Sequence, residues 1–134
     1  MKVFADTNFL ISAFVARGLS HDIFKLVLAK HELIIGEFVL NEFCEKMELK
    51  FKIPKSQIIE YEQFLKSFKI QPTPDSKPTF NLRDEDDGWV LAEALNAKTD
   101  ILITGDKDLL DFVDQVGEIL IFSPREFWEY LTNN

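Results

Sequence analysis

Short apolar runs that favour β-strands alternate with longer segments of helical periodicity along the chain. The predicted strands cover residues 2–5, 32–36, 69–72, 100–104 and 118–122. The predicted helices cover residues 7–15, 20–31, 37–51, 54–68, 84–98, 106–115 and 124–133. Ser20 is the candidate N-cap of the second of these helices. This alternation indicates a parallel sheet whose crossover helices cover both faces. The sequence therefore predicts an α/β fold with three α/β/α layers and a mainly parallel central sheet, and we expect residues 1–134 to form a single domain.

Composition narrows the class of protein and of site. The chain has 134 residues, of which 46% are hydrophobic, so it is long enough to bury a core. A single cysteine, Cys44, and two distant histidines, His21 and His31, argue against a zinc site. We find no apolar run long enough for a membrane span and no convincing signal peptide, so we expect a cytoplasmic protein.

Charge is distributed unevenly along the chain. The formal net charge of −8 argues against a protein that simply coats nucleic acid. Residues 84–118 hold eleven acids against two lysines, a net charge of −9, whereas residues 46–69 hold six lysines against three glutamates, a net charge of +3. The pattern indicates an acidic site that binds cations beside a mildly basic approach surface.

Two aspartates come directly after predicted strands. Asp6 follows the strand at 2–5, and Asp106 follows the strand at 100–104 after one glycine. Because ligands of an open α/β sheet bind beyond the carboxyl ends of its strands, we expect both side chains at the same edge. Taken alone, each aspartate is equally well explained as the N-cap of the next helix.

Asp87 stands at the head of a buried helix face. It lies in line with the apolar stripe of its helix, which includes Val90, Leu91 and Ala94. An acidic first turn also complements a helix dipole, but "RDEDDG" supplies four acids where a cap needs one. A bound cation would offset their mutual repulsion and the cost of burying Asp87.

Glu42 is the fourth acid of interest. It flanks the apolar face of its helix, and spacing alone does not distinguish it from a solvated glutamate or from its neighbours Glu37 and Glu45. Together with the three aspartates it would complete an all-oxygen site of the kind that favours Mg²⁺ or Mn²⁺. Such ions promote hydrolysis of phosphodiesters, so the acids make sense as a nuclease site.

Four segments resemble the motifs of the PIN-domain ribonucleases in order and separation: "KVFADTNFLISA", "LNEF", "RDEDDGWVLAEAL" and "ILITGDKDLL". The resemblance extends over nearly the whole chain. It is strongest to the small single-domain members assigned as toxins of bacterial and archaeal type II toxin–antitoxin pairs.

The resemblance implies both catalytic and metal-binding roles for the four acids Asp6, Glu42, Asp87 and Asp106. The register of the third acid is open between Asp86 and Asp87, and the apolar stripe favours Asp87. Supporting positions that would surround the metal ligands are Thr7, Asn8, Asp84, Thr104 and Asp108.

The resemblance also implies an activity and partners. It implies a Mg²⁺- or Mn²⁺-dependent endoribonuclease that hydrolyses single-stranded RNA with a metal-activated water. In that scheme Asp6 and Asp87 are the principal ligands, Glu42 holds or deprotonates the water, and Asp106 supports a second metal. A cognate antitoxin protein and a homodimer are implied by the family alone.

Two other classes of protein compete with this interpretation. A receiver-like phosphoacceptor domain also has acids at strand ends, but it needs two adjacent acids after its first strand, and "FADTNF" offers one. It also needs a lysine at the end of a late strand, and "EILIFSP" has none. A catalytically silent module would keep the metal site and act only by binding a partner; the complete set of four acids argues against it.

Candidates for substrate contact lie outside the acids. The best basic patch comprises Lys46, Lys50, Lys52 and Lys55. Phe51 is available there to stack a base, although a place in the core is the simpler expectation. Arg83 and Lys107 flank the acids and are candidates for phosphate contact or local ion pairs. We expect the tryptophans, Trp89 and Trp128, in the core or in an oligomer interface.

Overall fold

Five parallel strands form the centre of the computed structural model, which describes residues 1–76, 82, 84–112 and 119–133. The strand order is β3-β2-β1-β4-β5, and each neighbouring pair is parallel. The strands are β1 Lys2–Ala5, β2 Glu32–Gly36, β3 Lys69–Gln71, β4 Ile101–Ile103 and β5 Leu120–Phe122.

Helices follow or separate these strands and cover the sheet. In the described residues they are α1 Thr7–Val15, α2 Leu19–Lys30, α3 Glu37–Leu49, α4 Lys55–Lys66, α5 Glu85–Asn96, α6 Lys107–Leu110 and α7 Pro124–Thr132. Right-handed crossovers in the two directions from β1 place helices on both faces of the sheet. The predicted three-layer α/β/α fold is therefore confirmed. None of these helices is long and apolar enough to cross a membrane.

The centre of the sheet is β1, which pairs with β2 on one side and β4 on the other. Val3, Phe4 and Ala5 are fully buried, as expected for a strand covered on both faces. The strand order reverses between β1 and β4, which makes the carboxyl edge there the favoured place for a ligand. This order also differs from the 2-1-3-4-5 order of receiver domains, so the receiver alternative is wrong.

Several element boundaries differ from the sequence predictions. Helix α2 begins at Leu19 after an extended Gly18, so Ser20 lies in the first turn and is not its N-cap. Strand β3 ends at Gln71, because Pro72 has no N–H to continue the ladder. Helix α6 ends at Leu110; residues 113–115 of its predicted extent and residue 118 of the last predicted strand lie outside the described residues.

A buried glutamate from α5 caps α3 in place of an N-cap side chain. Gly36 precedes α3 and offers no side chain to its free N–H groups. Glu93 is fully buried there, and its Oε2 accepts hydrogen bonds from the Phe38 N–H at 2.7 Å and the Thr73 hydroxyl at 2.8 Å. Burial raises the pKa of Glu93, whereas these donors and the Val39 N–H lower it. The contact fixes the start of α3 against α5.

Gly36 leaves the space that Glu93 occupies. A Cβ at residue 36 would lie 1.9 Å from Glu93 Oε1 and 2.7 Å from Phe4 Cζ, whereas a Cβ at Gly18 would meet nothing within 4 Å. Both glycines are helix N-caps without a side-chain hydrogen bond, so their replacement by alanine has a similar capping cost.

We therefore expect Gly36→Ala to lower the free energy of unfolding by about 1–3 kcal/mol more than Gly18→Ala, because only the former overpacks the core. Urea denaturation of both variants and the unaltered protein measures the difference. Equal losses in the two variants would contradict the steric role of Gly36.

Candidate metal centre at the carboxyl edge of the sheet

Asp6 begins the site at the end of β1. It is the N-cap of α1, only 4% exposed, and its Oδ1 accepts a hydrogen bond from the Thr7 N–H at 2.8 Å. Its Oδ2 accepts a bond from the Thr104 hydroxyl at 2.6 Å, across the switch point from β4. Asp6 therefore caps a helix and also faces the crevice between the two strands.

The turn after β4 brings the second acid to the same edge. Asp106 is the N-cap of α6; its N–H donates to the Thr104 hydroxyl, and its Oδ1 accepts from the Asp108 N–H. Gly105 N–H donates to Asn8 Oδ1 at 2.8 Å, which ties this turn to the start of α1. Thr104 and Asn8 thus fix the position of Asp106 relative to Asp6.

Asp87 reaches the cluster from the first turn of α5. It is 5% exposed, whereas its neighbour Asp86 is exposed, so the structure places Asp87 and not Asp86 in the centre. Oxygens of Asp87, Asp106 and Asp108 lie within 4.8 Å of one another. Asp87 Oδ2 is buried and has no hydrogen-bond partner within the described part of the chain.

Glu42 is connected to the centre through α1. The Thr7 hydroxyl donates to Glu42 Oε1, and Lys46 Nζ lies 3.9 Å from Oε2, one turn further along α3. The negative charge of Glu42 raises the pKa of Asp6, so the two carboxyl groups are electrostatic neighbours. Glu42 is not among the carboxylates that group within 4.8 Å of one another around Asp87.

Burial and repulsion together perturb the acids. Burial raises the pKa of Asp6 to about 6, opposed by the Thr104 and Thr7 hydrogen bonds and reinforced by Glu42 and Asp106. The pKa of Asp87 is raised further, first by burial and then by the charges of Asp106, Asp6 and Asp84. The cluster thus holds more negative charge than its own hydrogen bonds neutralise.

This arrangement fits a hard divalent cation. The donors are carboxylate oxygens, the ligand type that Mg²⁺ and Mn²⁺ prefer, and neither cysteine nor histidine lies among the grouped residues. The buried and unpartnered oxygen of Asp87 is the atom that most needs a cation, because an ionised carboxylate without a partner is costly to bury.

The structure brings the predicted acids together with one change of emphasis. Asp6, Asp87 and Asp106 meet at the switch point, and Glu42 joins them through Thr7. Asp108, predicted only as a supporting position, belongs to the tightest group. Asp84 stays peripheral as the exposed N-cap of α5.

The residues predicted to contact the substrate lie partly in ion pairs and partly at the surface. Lys46 and Lys55 pair with Glu42 and Glu48, at 3.9 and 3.7 Å. Phe51 is 39% exposed, so the expectation that it lies in the core is wrong. It follows the end of α3, and Lys50 Nζ lies 5.6 Å from the centre of its ring. Arg83 lies outside the described residues.

The predictions for the tryptophans can also be compared with the structure. Trp89 is half-buried and stacks on Phe38, with ring centroids 6.5 Å apart and an interplanar angle of 27°. Trp128 is 48% exposed on α7, which excludes a place in the core of this chain. An oligomer interface stays a prediction for Trp128.

A parallel α/β sheet with an acidic centre at its switch point is the architecture of the PIN domains, which are typically metal-dependent nucleases. The sequence model of the PIN domain matches residues 2–108, so this chain belongs to the PIN domain family. No curated protein sequence matches the chain significantly.

Two solved structures share the fold. The structure of VapBC2 from Rickettsia felis bound to a DNA fragment from their promoter matches with a TM-score of 0.59 and 13% identity, over 90% of this chain and 97% of that chain. The structure of the PIN domain endonuclease Utp24 matches with a TM-score of 0.57 and 21% identity, over 90% of this chain and 82% of that chain.

The raised pKa values predict how stability depends on pH without metal. Asp6 and Asp87 have folded pKa values above the ordinary value of 3.8, so the folded state binds more protons than the unfolded state at pH values between the two. Their contribution to stability is complete below about pH 4 and is lost as pH rises through 6 towards 8. In EDTA we expect the melting temperature to fall between pH 5 and 8, and Mn²⁺ to raise it most at pH 8.

Asp87→Asn isolates the contribution of the cluster. At pH 8 in EDTA this variant should exceed the unaltered protein in unfolding free energy by about 1–3 kcal/mol, or about 3–5 °C in melting temperature per kcal/mol. It should also lose most of the shift caused by Mn²⁺. Asp22→Asn, an exposed change of the same charge on α2, serves as control. An Asp87→Asn variant no more stable than this control would contradict the repulsion described above.

Thr104 provides a second test of the same centre. Thr104→Val keeps the shape of the side chain but removes the donor to Asp6 Oδ2 and the acceptor for the Asp106 N–H. We expect a 10- to 100-fold weaker affinity for Mn²⁺, because groups that orient metal ligands have effects of about this size. Titration calorimetry measures the affinity for Mn²⁺, and Thr132→Val, at an exposed threonine of α7, is the control. Unchanged affinity would remove Thr104 from the site.

Proposed function

We propose that this chain is a Mg²⁺- or Mn²⁺-dependent endoribonuclease that cleaves single-stranded RNA. The observation that carries the proposal is the buried Asp87 oxygen without a partner, placed among Asp6, Asp106 and Asp108 at the switch point of the sheet. Membership of the PIN domain family supports the class of reaction, and the deep acidic centre supports the need for metal.

The residues of the chain have distinct roles in this proposal. Divalent ions would supply the activation of water and the stabilisation of the leaving oxygen of the phosphodiester. Asp6 and Asp87 would hold the ions, and Asp106 with Asp108 would complete the acidic side. Glu42, whose Oε1 accepts a hydrogen bond from the Thr7 hydroxyl, would orient or deprotonate the attacking water.

We further propose a cytoplasmic toxin of a toxin–antitoxin pair, with a cognate antitoxin and a homodimeric state. The similarity to VapBC2 from Rickettsia felis, which was crystallised with promoter DNA, supports this part through the fold. A catalytically silent metal-binding module stays the second candidate, since its acids would be arranged in the same way.

Cleavage of a mixed single-stranded RNA pool tests the enzyme. With Mn²⁺ or Mg²⁺ the protein should cleave, EDTA should stop it, and Asp6→Asn or Asp87→Asn should lower the rate by at least about 100-fold. Both variants should stay folded by circular dichroism, because an amide fits the space of the carboxylate. Asp22→Asn should keep full activity, since this exposed residue lies on α2.

Two results would decide against the proposal. Full cleavage by both site variants would show that the nuclease activity does not use this centre. Metal binding by a folded protein that cleaves no RNA, with either ion, would favour the silent module.

A further inference from the structure

A groove of about 470 Å³ opens beside the acidic centre on the α3 side. Its volume lies in the range of pockets that bind small ligands. The groove includes Glu42, which is connected to the centre through the Thr7 hydroxyl. It is lined by Phe38, Asn41, Glu42, Glu45, Lys46 and Asp86.

We propose that this groove is a nucleobase subsite that holds a base next to the scissile phosphate and selects bases with an exocyclic amino group over uracil. The proposal rests on the RNA-cleaving function proposed above and adds a substrate preference to it. Its grounds are the aromatic wall, the charge of the lining and the anchored start of α3.

The aromatic wall is formed by Phe38. Its ring lines the groove and stacks against Trp89 of α5, with an interplanar angle of 27°. The Phe38 N–H is held by the buried Glu93 at 2.7 Å, so the start of α3 carries this ring in a fixed place. An aromatic face of this kind stacks any base, because every base has a π-face.

The charge of the lining favours a base over a phosphate. Glu42, Glu45 and Asp86 contribute three carboxylates against the single ammonium group of Lys46, which itself pairs with Glu42. A phosphate would be repelled there, whereas a base that donates hydrogen bonds would be attracted. The basic groups that could follow an RNA backbone lie just after α3, at residues 50 and 52.

The polar groups of the lining also distinguish among bases. Carboxylates only accept hydrogen bonds, and the exocyclic amino groups of adenine, cytosine and guanine donate them. Uracil has no amino group: its single ring N–H lies between two carbonyl oxygens, so a carboxylate that accepts from this N–H also meets an acceptor on either side. Asn41, exposed and without a side-chain hydrogen bond in the described residues, can donate and accept and so contact the rest of the base edge.

Sequencing the cut ends of a random single-stranded RNA pool tests the subsite. At one position next to the cut, the unaltered protein should deplete uracil at least about fivefold relative to the pool. Glu45→Gln, whose amide can donate to a uracil carbonyl, should reduce this depletion to less than twofold. Glu48→Gln, an exposed change one turn further along α3, is the matched control and should keep the preference.

Phe38→Leu tests the stacking wall. It keeps an apolar side chain beside Trp89, so the domain should stay folded, but it removes the aromatic face. We expect kcat/KM to fall about 5- to 10-fold for all bases, mainly through KM. Phe64→Leu, at an exposed phenylalanine of α4 outside the groove lining, should leave both values unchanged. Equal base frequencies at every flanking position, or a preference unchanged by Glu45→Gln, would overturn the subsite.

Binding separates this proposal from the nuclease proposal. With Mg²⁺, fluorescein-labelled oligoadenylate and oligocytidylate should bind more tightly than oligouridylate, and Glu45→Gln should reduce the difference. A protein that shows this order without cleaving keeps the subsite and loses the enzymatic function. A protein that cleaves but shows neither the order nor the depletion of uracil keeps the enzymatic function and loses the subsite.

Discussion

Mutual repulsion among buried carboxylates at one edge of the sheet is the constraint that the surrounding structure has to satisfy. Three aspartates at this edge are N-caps, namely the buried Asp6, the half-buried Asp106 and the exposed Asp84, so each gains a backbone N–H and the positive end of a helix. Asp87 has a place inside its helix and no such cap, and its Oδ2 has no partner in the described chain. Helix termini therefore offset part of the negative charge, and the part left over is concentrated at Asp87.

A second set of contacts keeps the two halves of the centre in register. The Thr104 hydroxyl links β4 to Asp6 after β1, and the Asn8 side chain holds the turn at Gly105. On the other side, Glu93 of α5 caps α3 through the Phe38 N–H. The helix that supplies Asp87 thus fixes the helix that supplies Glu42. A change in this buried contact would move two acids at once, although Glu93 itself is not one of the grouped carboxylates.

The sequence predicted the fold and the proximity of the main acids because both depend on patterns along the chain. The alternation of apolar runs with helical segments indicated the parallel sheet. An aspartate that directly follows a parallel strand lies at the carboxyl edge of the sheet. The apolar stripe of α5 favoured Asp87 over Asp86, and the structure agrees on the burial of the two. In these cases local periodicity determined which side of an element a residue would occupy.

Features that depend on partners distant along the chain could not be predicted from the sequence. Asp108 resembles an ordinary acid in the first turn of a short helix, and only the approach of α5 brings it within 4.8 Å of Asp87. Glu93 gave no signal, because its partner at Phe38 is 55 residues away. The absence of a side chain at Gly36 was the one available hint, since it leaves the start of α3 without a cap. The prediction that Ser20 is the N-cap of α2 was wrong, although serine is a good capping residue. The helix begins after Gly18, so Ser20 lies within its first turn.

The distribution of charge bears on how the chain would bind RNA under the proposed function. A chain with a net charge of −8 gains little from counterion release, so affinity has to come from elsewhere. A cation in the acidic centre would attract one phosphate locally, and a groove with an aromatic wall would add stacking that does not depend on charge. The lysines near the end of α3 are too few to replace either. If the proposed function holds, the chain would depend on a bound metal for RNA binding as well as for cleavage. The bases of the RNA would then contribute more to the affinity than its phosphate backbone.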